Sequence, residues 1–526
     1  MSRQQFTSRN NIGQVLTFQK SGSTTSFDPD VTFSSGSRRV SWKLNNGTNI
    51  TQTAGNSITY SGFSADTEIR TIQMRGNSFS NINGFNLFND NIYGKLDLTP
   101  LLGLGGVFIV SNNPRLTGIT HSSSSQNFST YSVYSCNLTG NLDLTPLSGL
   151  GGDFQTQNNS NLTGITHTQS SRNFTSYSVY SCNLTGNLDL TPLSGLGGEF
   201  YVNNNLNLTG ITHSPSSQNF TRYWANNCNL TGNLDLTPLS GLGGDFRSYS
   251  NPNLTGITHT QSSRNFTSYS VYSCNLTGNL DLTPLSGLGG NFQAHSNSNL
   301  TGITHTQSSQ NFSNYSVHSC NLTGNLDLTP LSGLGGNFSI YNNTGLTNIT
   351  HTQSSQNFTS YLANNCNLTG NLNLTNLTKL GGSSSASTGY IQVSGNDNLT
   401  NVIFPNVNTF FRNTSNNDSF SAFRMFDCNL DYVDFKPLSG ATLISGATQG
   451  RPIIGLYDNN MSSSDVNHIL VDFSGNATYN PTGWSNINLK IGGTNGAPDA
   501  SSGGYDGIAA RNFLTGSPYN WIITHS

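Results

Sequence analysis

The sequence predicts a mainly β protein, a solenoid of stacked parallel strands with a small β-sandwich-like domain before it and an α/β cap after it. Three observations predict this. Cysteines fall at 136, 182, 228, 274, 320 and 366, each 46 residues after the last, and Asp90 holds the same place one period earlier. Each period repeats "NLTGNLDLTPLSGLGG" (137–152 in one copy) and, further on, a second "NLTGIT" (161–166), so one period is two related subunits of about 24 and 22 residues. Inside a subunit apolar residues alternate as they do on a half-buried strand, while the segments at both ends lose the period.

The elements follow in chain order. Residues 1–76 read as an N-terminal arm and a small β domain, with "VSWKLNNGT" (40–48) and Tyr60 as its strand signals. Residues 77–380 are the regular repeats and 381–526 the irregular ones. In the tail, "FRMFDCNLDYVDF" (423–435) and "IIGLYDNNM" (453–461) read as loose coils, and "SSDVNHILVDF" (463–473) as a capped amphipathic helix. The closing "YDGIAARNFLTGSPYNWIITHS" (505–526) predicts a second helix and a last strand. Irregular ends suit a solenoid, because an uncapped stack leaves apolar faces and strand edges in water.

Within the repeats the pattern is L-x-L-x-x-(N/C)-x-L. Tyr177, Val179, Cys182 and Leu184 form one copy; Phe154, Thr156, Asn159 and Leu162 form its neighbour, with one extra residue. Such a strand sends alternate side chains inward and must return one layer higher. Asn159 is then placed to bond backbone groups that no strand serves, and Cys182 to fill the same slot with a weak S–H donor. Gly151, Gly152 and Gly164 are expected where the backbone adopts conformations closed to other residues. Coils stacked at ~4.8 Å put a dozen of them in a sheet about 55 Å long.

On these residues the chain resembles the leucine-rich-repeat proteins, in particular those whose repeats read N-L-T-G after the asparagine or cysteine. The likeness spans about 85–380. The N-terminal segment is similar to PKD or immunoglobulin-type domains, whose motif is W-x-x-G-x-G-T, with Asn45 and Asn46 departing from it.

Function is legible mainly through contrast between copies. Residues 137–182 and 229–274 are identical except at five positions, all between 155 and 160 of the first copy. With Phe154 inward, 155 and 157 point to the open face of the sheet. Read through the repeats, the outward positions of both strands give a candidate ligand-binding face: Gln155, Gln157, Tyr180, Tyr201, Asn203, Trp224, Arg247, Tyr249, Tyr272, Gln293, His295, His318 and Tyr341. These side chains offer flat apolar area with neutral hydrogen-bonding groups, the mixture used by recognition loops. Charged residues are only 9% and the formal net charge is −3, which leaves nucleic acid and anionic membranes no electrostatic handle. A host-surface glycan or protein is the expected partner, a polysaccharide first.

Other constellations dissolve under the period. The repeat cysteines lie two coils apart, roughly 10 Å, beyond the ~7 Å Cα limit for a disulfide, so free buried thiols are expected. The same spacing separates the "GITH" histidines (His121, His167, His213, His259 and His305) and the aspartates Asp97, Asp143, Asp189, Asp235, Asp281 and Asp327, too sparse for a zinc or calcium site. Asp153, Glu199 and Asp245 give one carboxylate per coil pair, not the pair that sugar cleavage needs. No catalytic residue, cofactor or metal is expected, and no enzyme.

The N-terminal 20 residues contain no apolar run of signal-peptide length, and no stretch reaches membrane-spanning length. Near-identical repeats with loose C-terminal coils and very low charge resemble phage tail-fibre and other virion adhesion proteins of Bacteroidota-infecting phages. That resemblance implies a virion location, attachment to other virion proteins through the N-terminal domain, and homo-oligomerisation. A structural fibre or decoration subunit is one alternative. A secreted adhesin or ice-binding protein is the other, kept open by the constant "LTGITHT" column.

Overall fold

The computed structural model describes residues 14–21, 27–33, 39–44, 49–53, 60, 69–76, 79, 82–308, 310–380, 391–406, 412–413, 423–441, 444–445 and 453–525. Asn45 and Asn46 and the N-terminal arm before residue 14 lie outside them. The chain is mainly β, with stacked parallel strands and a few helices near the C-terminus. It forms two compact units, Met1–Leu242 and Gly243–Ser526.

In the first unit, one parallel sheet takes a strand from every coil: Gly106–Ile109, Phe128–Ser132, Gly152–Gln155, Phe174–Ser178, Gly198–Tyr201 and Phe220–Trp224. Its register sets Tyr131 beside Phe154 and Phe154 beside Tyr177. The opposite side of each coil pair carries a two-stranded parallel sheet, such as Thr139–Asp143 with Asn161–Thr166. The N-terminal residues close the first coils at two edges. Asp30–Phe33 pairs antiparallel with Ile82–Asn86, and Gln14–Ser21 pairs antiparallel with Ile92–Leu98 at Gln19 and Lys20. A single sheet therefore runs from Asn49–Thr53 to Arg115–His121.

The second unit continues the same plan by itself. Strands from Gly244–Arg247 to Ser354–Leu362 keep the regular register, and short strands follow at Ile391–Gln392, Phe423–Arg424, Ile453–Gly455, Asn488–Lys490 and Ile522–Thr524. Two helices cap it, α1 (Ser463–Tyr479) and α2 (Gly507–Thr515). Helix α1 starts in a capping box: Ser462 Oγ accepts from the Asp465 N–H, and the Asp465 carboxylate accepts from the Ser462 N–H. Its Val466, Ile469, Leu470 and Phe473, at helical spacing, are buried, and Phe473 packs on Trp484 and Trp521. Among the described residues, no helix is long and apolar enough to cross a membrane.

The interior is built as the alternation predicts. Tyr177, Val179, Cys182 and Leu184, and Phe154, Thr156, Asn159 and Leu162, are all buried. Phe and Tyr alternate up the first unit's core from Phe108 through Tyr131, Phe154, Tyr177 and Phe200 to Tyr223, with centroids 4.7 to 5.6 Å apart. A parallel ladder from Phe246 to Tyr361 fills the second. Each such ring contributes about 1.5–3 kcal/mol by leaving water. Asn159 Nδ2 donates to the carbonyls of Val133 and Thr156, and its Oδ1 accepts from the Leu138 N–H. Cys182 Sγ donates to the Thr156 carbonyl at 3.3 Å, so thiol and amide serve the same turn. Ladder residues follow one another every 23 residues, which makes the two coils of a period equal at this point.

The glycines divide into two kinds. Gly152 has φ +62°, and a Cβ there would sit 2.3 Å from the Ser129 carbonyl. Gly151 and Gly164 do not have positive φ; a Cβ at Gly151 would meet the Arg172 Cβ at 2.5 Å, and one at Gly164 only the tip of the Asn141 side chain. The left-handed turn residue is instead the one before the ladder, such as Asn158 (φ 60°) and Ser181 (φ 53°).

Candidate recognition face

The outward residues become two different surfaces because neighbouring coils supply different rings. In the first unit Gln155 sits beside Ser132 and Ser178, and Tyr201 beside Ser178 and Trp224. The serines are too short to emerge and are buried, so the longer side chains form the face. Tyr180 meets Tyr201 at 84° with centroids 6.3 Å apart, and Tyr201 meets Trp224 at 72° and 5.0 Å. Edge-to-face packing does not cover ring faces as a parallel stack does.

Two residues complete this corner that the outward columns did not nominate. Arg222 Nη1 donates to Glu199 Oε1 at 2.5 Å and to the Tyr201 hydroxyl at 2.9 Å. Both lie two residues before a face aromatic on the same strand, a spacing that could have found them. Burial beside the Glu199 carboxylate raises the Tyr201 phenol above its ordinary range, against the pull of Arg222. Gln157 is half-buried. Asn203 is nearly covered, at 9% exposure, in a turn whose backbone bonds the preceding coil at Ser181 and the following one at Asn226.

The second unit presents a stack. Tyr249, Tyr272, His295, His318 and Tyr341 lie ring on ring, with centroids 4.4, 4.6, 4.4 and 4.2 Å apart and planes within 10° of parallel. The two imidazoles are oriented by Nδ1 contacts with Ser296 and Ser319 at 3.2 Å. Burial, with His295 beside it, lowers His318 to about 4, and burial lowers His295 as well. At neutral pH the His318 ring is therefore uncharged. Arg247 is held by Asp245 through Nε at 2.9 Å and Nη2 at 2.7 Å, and Gln293 Oε1 accepts from Ser270 Oγ at 3.1 Å.

The periodic histidines and aspartates have structural partners. His121, His167 and His213 join Tyr131, Tyr177 and Tyr223 by buried hydrogen bonds of 2.8 to 2.9 Å, and His259, His305 and His351 join Tyr269, Tyr315 and Tyr361 likewise. Asp143 Oδ1 accepts from the N–H and hydroxyl of Thr145, closing a turn. Cys136, Cys182, Cys228, Cys366 and Cys428 are buried and Cys274 and Cys320 half-buried, all free, with burial pushing their thiols up to about 11 or 12. Among the described residues, no three His, Cys, Asp or Glu side chains converge as a metal site would require.

No protein-family model matches the chain, and no curated protein matches it. What the geometry defines is a class, a repeat β-solenoid whose two units, built on the same repeat plan, present unlike aromatic surfaces.

Proposed function

We propose that the protein is a non-enzymatic recognition protein that binds a cell-surface glycan through its outward strand face. The observation that carries this reading is the contrast between held and varied positions. Phe154 and Phe246 occupy equivalent buried places, whereas Gln155 and Gln157 give way to Arg247 and Tyr249 at the outward ones. A polar face kept only for solubility has no reason to gather its rings into clusters.

The corner at Tyr180, Tyr201 and Trp224 is the better sugar platform. Sugar C–H groups pack on open aromatic faces, and Arg222 and Glu199 stand beside the rings to bond hydroxyls. In the Tyr249–Tyr341 stack the ring faces are taken by one another, which leaves edges, phenols and imidazole nitrogens for a ligand. The repeat pattern supports membership of the leucine-rich-repeat class. Its likeness to virion adhesion proteins makes a phage appendage, anchored by the N-terminal sheet, the setting we favour. The test is capture on an array of bacterial surface glycans, comparing the parent with Tyr201→Ala, Trp224→Ala and Tyr249→Ala combined. Loss of a specific signal supports the reading; unchanged capture overturns it.

A further inference from the structure

The constant side of the coils carries a second kind of site. In the first unit the strand Asn161–Thr166 pairs with Thr139–Asp143, and Thr185–Leu190 pairs with Asn207–His213, so a slot remains between the two sheets. One end is closed, where the Asn183 N–H reaches the Leu162 carbonyl and Thr185 Oγ1 the Thr163 carbonyl. The slot encloses about 270 Å³. The second unit has its equivalent between Asn299–His305 and Thr323–Leu328, of the same volume, lined by the same residue types 138 positions later.

Its chemistry is specific. Ile165, Leu188 and Pro192 supply an apolar floor, and Thr163, Asn187 and Asp189 the polar wall. Asp189 uses Oδ1 on the N–H and hydroxyl of Thr191, which leaves its second oxygen as an acceptor. His167 also lines the slot. It is more than nine-tenths buried, its Nε2 is engaged by Tyr177, and its Nδ1 has no hydrogen-bond partner among the described residues. His305 repeats this in the second unit. That nitrogen is sealed from solvent, so the groups left for a ligand's hydroxyls are those of Thr163, Asn187 and Asp189. No Lys or Arg lines either slot, so an anion has no counter-charge. The volume lies just below the ~300–1,000 Å³ of ordinary small-molecule pockets, room for one ring and not for a folded ligand.

We infer that these slots bind an uncharged, hydroxyl-rich polysaccharide, one sugar ring per slot. The lining sequences recur every 46 residues, as at Thr163–His167 with Leu184–Asp189 and again at Thr209–His213 with Leu230–Asp235. Within one unit two strand spacings set equivalent positions ~10 Å apart, so an extended chain lying along that unit engages more than one weak site. This inference does not rest on the variable face.

The test is a methyl NMR titration of the full chain with cellohexaose, maltohexaose, mannohexaose and laminarihexaose, and with the matching disaccharides. The slot reading predicts shifts of the Ile165 and Ile303 methyls with at least one hexasaccharide, roughly tenfold tighter than its disaccharide. It also predicts their loss in Thr163→Phe combined with Thr301→Phe, whose side chains fill the slots. No shift with any of the four, or shifts that persist in the filled variant, overturn it; the titration of the parent decides even if that variant does not fold. The part of the tryptophan fluorescence change that Trp224→Phe abolishes, followed in matched samples, reports the outward face separately, so either site can fail without the other.

Discussion

His167 Nε2 lies 2.9 Å from the Tyr177 hydroxyl, and both side chains are buried. The bond crosses the inside of one coil, from the end of the strand Asn161–Thr166 to the sheet strand Phe174–Ser178. A phenol stacked between Phe154 and Phe200 cannot reach water, so it needs this partner. The GITH motif is the answer to an inward tyrosine.

Tyr177→Phe should therefore destabilise the protein by about 1–3 kcal/mol, because it leaves the imidazole with two unbonded nitrogens while removing almost no volume. Urea unfolding of the first unit's signal measures this. An unchanged midpoint would mean that the His167 bond contributes nothing.

Acid should unfold the protein through the same column. Burial lowers His121, His167 and His213 in the first unit, and His259, His305 and His351 in the second, to about 4 from an ordinary 6.5. The unfolded chain then binds protons that the folded chain refuses, so their contribution is whole above pH 6.5 and lost as pH falls toward about 4. Asp90, pushed up to about 7 by burial, acts in the opposite sense: its contribution is present below its ordinary 3.8 and lost as pH rises through 7. Three histidines per unit outweigh it. Melting temperature measured across this range should drop steadily on acidification; a flat profile would show that the imidazoles are not buried neutral.

Two glycine substitutions should separate backbone strain from crowding. Gly140 has φ +68° and open space around a Cβ, so Gly140→Ala should cost only the left-handed penalty of about 1–2 kcal/mol. Gly152→Ala adds a collision with the Ser129 carbonyl and should cost clearly more. Paired thermal melts test the order, and equal losses would contradict the coil geometry.

Much of this was legible in the sequence, because a period fixes which positions share an environment. Phe154 and Thr156 could be assigned inward from alternation, Asn159 and Cys182 from the three-residue step that follows it, and helix α1 from the pattern of residues 463–473. The His–Tyr bond was not legible, since alternation says which side a residue faces but not which side chain it meets ten residues later. Nor was the contrast between the Tyr201–Trp224 corner and the Tyr249–Tyr341 stack. Both are columns of rings in the sequence, and only ring orientation separates open faces from covered ones. The pairing of Gln14–Ser21 with Ile92–Leu98 depends on a contact between distant segments that no local pattern encodes.

The central claim is that outward identities select the ligand while inward ones hold the fold, and exchanging one coil pair's face for another's tests it most directly. Tyr201→Gln, Asn203→Gln, Trp224→Ser and Asn226→Tyr give this pair the outward residues of Gln155, Gln157, Ser178 and Tyr180. Glycan capture and thermal melting are then measured on the same preparation. The account predicts a protein that still folds, with a melting temperature lowered by the lost Tyr201–Trp224 ring contact and the changes at the nearly covered Asn203 and Asn226, and an altered set of captured glycans. An unaltered set on a folded protein, or collapse of the fold, would contradict it.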